Sequence, residues 1–125
     1  MKRNIWLIDD DEIFAFILKH KIASDQFFNE LEHFNSAEKA LKVLNHPTSD
    51  YPFPDIIILD INMPRMSGWD FLKKIIHLKN KFKIYICSSS INSTDIELAK
   101  KHKVTKLNKP LQIKDIESIK NEFSI

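Results

Sequence analysis

Three short stretches of this chain, IWLI (residues 5–8), IIIL (56–59) and IYIC (84–87), are apolar without any alternation. A strand with one wet face alternates apolar and polar residues with a period of two. An unbroken β-branched or aromatic run of this length instead suits a strand covered on both faces, as in a parallel sheet sandwiched between helices. A fourth run, LEHF (31–34), alternates more and fits a place nearer an edge, and a fifth, VTKLN (104–108), is weaker again.

Helical patterns fill the intervals. Residues 12–23 carry Ile13, Phe14, Phe16, Ile17, Leu18 and Ile22 as one broad apolar stripe. Ala37, Ala40, Leu41 and Leu44 follow the i, i+3, i+4, i+7 spacing, with Ser36 placed to cap them. Phe71, Leu72, Ile75 and Ile76 form a third stripe. Ile96 and Ala99 form a fourth, entered through Asn92, Ser93, Thr94 and Asp95, and Ile116, Ile119 and Phe123 form the last. HPTSDYPFP (46–54) and MPRMSG (63–68) read as loops. Strand and helix therefore alternate five times, which predicts a doubly wound α/β sheet in a single domain spanning residues 1–125.

Composition narrows the function classes. The signs of charge nearly balance, at a net +2, and give no electrostatic reason to propose a nucleic-acid or membrane partner. The apolar residues after MKRN are too few for a signal peptide, and no run approaches the ~20 needed for a membrane span. Cys87, the only cysteine, lies in an apolar run and reads as core; the expectation is a cytoplasmic, reducing setting. The five histidines show no metal-ligand spacing and read as surface residues.

In a doubly wound sheet, sites lie outside the carboxyl ends of the strands, where strand order reverses. The residues that end each run are therefore informative. The first apolar run ends in Asp9-Asp10, the third in Asp60, the fourth in Ser88-Ser89-Ser90 and the fifth in Lys109-Pro110. Two unit charges ~4 Å apart interact by ~4 kcal/mol at an effective dielectric of about 20, so clustered Asp9, Asp10 and Asp60 call for a cation. Hard carboxylate oxygens with no His or Cys of ligand spacing favour Mg²⁺. A carboxylate can be a nucleophile and form an aspartyl phosphate, with a lysine and a hydroxyl to meet the phosphoryl oxygens. Each member has a plainer reading: Asp11 and Glu12 as helix-start acids, Ser88–Ser90 as a turn, Lys109 as one lysine among many. The joint order at successive strand ends is what is specific.

These residues resemble a response regulator receiver domain of two-component signalling, of the stand-alone type. The match runs through WLIDDDE, DIIILDINMPRMSGWDFL, IYICSSS and LNKPL, and covers essentially the whole chain. The resemblance implies a flavodoxin-like (βα)5 fold with a five-stranded parallel sheet of order 2-1-3-4-5. It implies Asp60 as phosphoacceptor, Asp10 as a direct Mg²⁺ ligand with Asp9 alongside, and the backbone carbonyl of Asn62 as a further ligand. Ser88 matches the hydroxyl that swings toward the phosphate, Lys109 the lysine that pairs with it, and Lys109-Pro110 a cis peptide. Asn62 and Ser90 match positions that tune the lifetime of the acyl phosphate. Gly68, the only glycine, matches a position needing φ > 0 or close packing. Two features depart from the family pattern: Lys106 stands where an aromatic switch is usual, and KHKVTKLN lacks the usual glycine before the fifth strand.

The expected activity is phosphoryl acceptance by Asp60 from a phosphohistidine on a sensor histidine kinase or phosphotransfer protein. The expected output is altered binding to a downstream protein rather than catalysis, since no DNA-binding or enzymatic segment follows Phe123. Two alternatives stand beside it. One is a phosphorylation-independent interaction module on the same fold, which Lys106 keeps open. The other is a haloacid-dehalogenase-like phosphohydrolase with Asp9 as nucleophile.

Overall fold

A computed structural model describes residues 2–46, 51–78, 80–89 and 92–123. Five strands form one parallel sheet: β1 (Ile5–Ile8), β2 (Glu32–Phe34), β3 (Ile56–Asp60), β4 (Lys83–Ser88) and β5 (Thr105–Asn108), in the order β2-β1-β3-β4-β5. Helices α1 (Glu12–Ile22), α2 (Ala37–Asn45), α3 (Gly68–Lys74), α4 (Ser93–His102) and α5 (Ile113–Asn121) alternate with the strands, and a 3-10 turn over Ile76–Leu78 follows α3. The expected flavodoxin-like α/β architecture is present.

The unbroken apolar runs are explained by the two faces. Ile56 and Ile58 of β3 pack with Phe14, Leu18 and Ile22 of α1 and Ile116 and Ile119 of α5. Ile57 and Leu59, the alternate residues, pack on the other face with Ala37, Ala40 and Leu44 of α2, Phe71 of α3 and Ala99 of α4. Every residue of β1 and β3 is buried, whereas β5 at the edge buries only Leu107.

Helix ends follow local chemistry. Asp11 caps α1 by accepting from the amides of Ile13 and Phe14, as a helix-start acid should. Ser36 caps α2, and Asn92 with Asp95 forms a reciprocal capping box at α4. Lys103 ends α4 in the left-handed region at φ 57°, taking the conformation for which glycine is usual at a helix C-terminus.

Four apolar assignments are corrected. Ile13, Phe16 and Ile17 were expected in the buried stripe of α1, but they are 73%, 64% and 44% exposed. One helix resting on a sheet buries an arc of limited width, and Phe14, Ala15, Leu18 and Ile22 fill it. Ile76 likewise lies outward in the 3-10 turn, because α3 ends at Lys74 and the tighter turn rotates it off the core. Among the described residues, no helix is long and apolar enough to cross a membrane.

Candidate functional site

The chain moves from β1 outward to β2, then returns past β1 to β3, so the strand order reverses between β1 and β3. The carboxyl ends of these two strands carry Asp9-Asp10 and Asp60. One carboxylate oxygen from each of Asp9, Asp10 and Asp60 lies within 4.8 Å of the others. The three are not equivalent. Asp9 is completely buried and Asp60 nearly so, while Asp10 is exposed at the rim.

Asp9 is fixed by the protein. Its backbone amide extends the β1–β2 ladder by donating to Phe34 (3.0 Å), and its Oδ1 accepts from the Asp11 amide (2.9 Å). Its Oδ2 faces the Lys109 ammonium at 2.8 Å, an ion pair in contact without the alignment of a good hydrogen bond. Lys109 also lies 3.8 Å from Asp60 Oδ2, and its ammonium sits 4.7 Å above the Phe14 ring. Burial pulls the lysine pKa down, but the Asp9 and Asp60 carboxylates outweigh it, so the ammonium is held charged. At Asp60 burial is the largest influence and raises the carboxyl to about 6. The Asp9 charge pushes the same way, while the Asn62 amide, donating at 3.1 Å, and Lys109 oppose it.

Ser88 ends β4, buried, and its Oγ accepts from Asn62 Nδ2 at 2.9 Å. The Lys109 amide donates to the Ser88 carbonyl at 3.1 Å, and Lys109-Pro110 is cis. Three carboxylates and one ammonium leave two negative charges in a small volume, all from hard oxygen donors. That donor set and charge fit one Mg²⁺.

All six expected residues, Asp9, Asp10, Asp60, Asn62, Ser88 and Lys109, thus meet at one rim. Ser90 lies outside the described residues. Gly68 resolves the choice between positive φ and close packing: its φ is not positive, and a Cβ there would lie 2.6 Å from the Asp60 carbonyl oxygen. Cys87 is core as expected, with burial pushing its thiol up to about 12. His33 corrects the reading of the histidines as surface groups. It is half-buried, with Nε2 2.7 Å from the Asp9 carbonyl and Nδ1 3.6 Å from Glu12. No spacing signal could reveal it, since the contact joins neighbouring strands 24 positions apart. Asp9 as a hydrolase nucleophile fits poorly, because its side chain is wholly buried and held on both oxygens.

A doubly wound parallel sheet with this acid, lysine and hydroxyl set at its switch point defines a domain of the receiver class. The chain belongs to the response regulator receiver domain family, whose profile matches residues 5–120. A two-component response regulator from Cytophaga hutchinsonii has a similar structure, with a TM-score of 0.86, 29% identity and coverage of 98% of this chain and 97% of that one. The chemotaxis protein CheY of Bacillus subtilis (strain 168) is 28% identical over 89 residues, 71% of this chain and 69% of that protein. A protein-glutamate methylesterase/protein-glutamine glutaminase of Paramagnetospirillum magneticum is 29% identical over 98 residues, covering 78% of this chain but only 26% of that protein. The chain therefore spans about a quarter of the length of that relative.

Proposed function

We propose that this chain is a single receiver domain in the cytoplasm in which Asp60 accepts a phosphoryl group from a phosphohistidine. The carrying observation is a buried carboxylate, ringed by Asp9, Asp10 and Lys109, at the point where the strand order reverses. An Asp60 oxygen forms the new P–O bond while the P–N bond to the donor imidazole breaks, and the imidazole leaves with the electron pair. Lys109 stays charged and stands ready to pair with a phosphoryl oxygen, and the Ser88 hydroxyl offers a hydrogen bond to another. Asp10, Asp60 and the Asn62 carbonyl, with Asp9 alongside, would hold Mg²⁺, which would supply the remaining neutralisation of the phosphoryl charge.

The test is direct. Incubation with acetyl phosphate and Mg²⁺, followed by intact-protein and peptide mass measurement, should show one added phosphoryl group on Asp60. A label on Asp9, or none on any residue, sinks the reading. The metal assignment has its own check. A hundredfold excess of Mg²⁺ over its Kd should stabilise the fold by about 2.7 kcal/mol, read as a rise in melting temperature, and Asp10→Asn should remove most of that gain. A wild-type chain indifferent to Mg²⁺ would favour the phosphorylation-independent module.

The donor, a histidine kinase or phosphotransfer protein, must cover the rim of the site to deliver its phosphoryl group. Helix α1 starts at that rim and presents Ile13, Phe16 and Ile17 to solvent, with the Phe16 ring 4.3 Å from that of His20. An apolar stripe left exposed among the described residues suits a protein donor. Phe16→Asp should lower kcat/KM for phosphotransfer from the donor protein on the order of tenfold. Labelling by acetyl phosphate should stay unchanged; a parallel loss of both would place Phe16 in the fold rather than the dock.

A further inference from the structure

Lys106 removes the aromatic residue that would be expected on β5, yet a different aromatic residue is wired to α4. Trp69, the second residue of α3, donates its indole N–H to Asp95 Oδ1 at 3.0 Å. Asp95 is the same residue that closes the α4 capping box: its Oδ2 accepts from the Asn92 amide at 3.3 Å, and its own amide donates to Asn92 Oδ1 at 2.9 Å. At the other end of α4, the Trp69 ring stacks on His102, with centroids 6.0 Å apart and planes 21° from parallel. Burial, with help from Lys101 and Lys73, keeps that imidazole below its ordinary pKa, so it stacks as a neutral ring. One side chain thus touches the first and last turns of α4, a span of about 10 Å at 1.5 Å per residue.

Among the described residues of α4 only Ala99 is buried. Its start lies close in sequence to the site: Ser88 touches Asn62, and only three residues separate Ser88 from Asn92. Asn92 forms its capping box with Asp95, and Asp95 is where Trp69 is anchored. Asp95 thus serves the α4 cap with one oxygen and the α3 indole with the other.

We infer that the Trp69–Asp95 hydrogen bond is a latch that holds α4 in its resting position and opens when Asp60 is phosphorylated. The inference rests on the phosphoacceptor reading. The latch biases a two-position helix, so its loss favours the phosphorylated arrangement by whatever it contributed to the resting one. Phosphorylation then changes the exposure of Trp69 and His102, and with it the surface between α3 and α4.

The two indole N–H signals of Trp6 and Trp69 can be separated in a ¹⁵N spectrum and assigned with Trp69→Phe. With Mg²⁺ and beryllofluoride as the phosphoryl mimic, the Trp69 indole proton should shift and exchange faster with solvent, while the buried Trp6 signal stays put. Trp69→Phe keeps an aromatic ring, though a smaller one, near His102 and removes the indole donor. It should tighten beryllofluoride binding on the order of tenfold, the worth of one hydrogen bond to a charged group. A purely structural tryptophan would lower the melting temperature and leave that affinity alone, which overturns the latch. Amide shifts at Asp60 and Asn62 with a stationary Trp69 signal also overturn it, leaving the phosphoacceptor reading intact. Absent shifts at Asp60 itself overturn both.

Discussion

Asp60→Asn should take up no phosphoryl group from acetyl phosphate and Mg²⁺, and without Mg²⁺ it should be more stable than the wild type at pH 7. The first result follows from chemistry, since an amide of nearly the same shape lacks the nucleophilic oxygen. The second follows from the environment of the carboxylate. Burial and the Asp9 charge raise the Asp60 carboxyl to about 6, above the 3.8 of an unperturbed aspartate. A raised folded-state pKa means that the native state holds the proton more tightly than the unfolded chain. Its stabilising effect is complete below pH 3.8 and is lost as the pH rises through about 6. At neutral pH the ionised group therefore costs the fold of order 2 kcal/mol, which the asparagine avoids. Urea melts at pH 4 and pH 7 should show the gain at pH 7 and little of it at pH 4. A variant that melts like the wild type at both pH values would show that the carboxylate cluster is not under the strain its burial implies.

Gly68→Ala should destabilise the domain by about 2 kcal/mol or more, and should slow labelling of Asp60 in the molecules that remain folded. The new Cβ would lie 2.6 Å from the Asp60 carbonyl oxygen, 2.7 Å from Ile61 Cα and 3.1 Å from Asp60 C. All three are backbone atoms, so no rotamer change can relieve the contact. Either α3 must lift away from the end of β3, or the Asp60 backbone must shift. The first breaks the hydrogen bond from the Gly68 amide to the Ile61 carbonyl and loosens Phe71 and Leu72. The second moves the acceptor relative to Asp9 and Lys109. Alanine's better helix propensity, at most about 1 kcal/mol in a helix interior and less at the first position, does not offset this. Thermal melting and the rate of mass increase with acetyl phosphate check the two halves separately. Unchanged stability would mean that α3 can move without cost, contrary to its packing.

The strands were the most legible part of the chain, and α1 the least. A run such as IIIL has one reading once both faces must be apolar, and β3 extends it only by Asp60. In α1 the same richness in apolar residues was misleading. A helical pattern gives the angular position of each residue but not how wide an arc the sheet covers, and Ile13, Phe16 and Ile17 fall outside that arc. The histidines show the converse error. His33 looks like a polar residue on an edge strand, and its bond to the Asp9 carbonyl exists only because β2 lies beside β1.

By itself, the sequence determined that the strands are parallel and covered, that they alternate with helices, and that acids, a hydroxyl and a lysine end them in a set order. These are one-dimensional properties: period, run length and the residues that terminate each run. The tertiary structure decided which neighbouring aspartate is sealed against Lys109 and which faces solvent, because β1 ends at Ile8 and the chain turns outward between Asp9 and Asp10. It also decided that Gly68 is needed for close packing, that Asn62 reaches Ser88, and that Trp69 reaches Asp95. Each of those contacts joins side chains or backbone from different elements, and its existence depends on distances of a few ångströms that spacing along a chain does not encode.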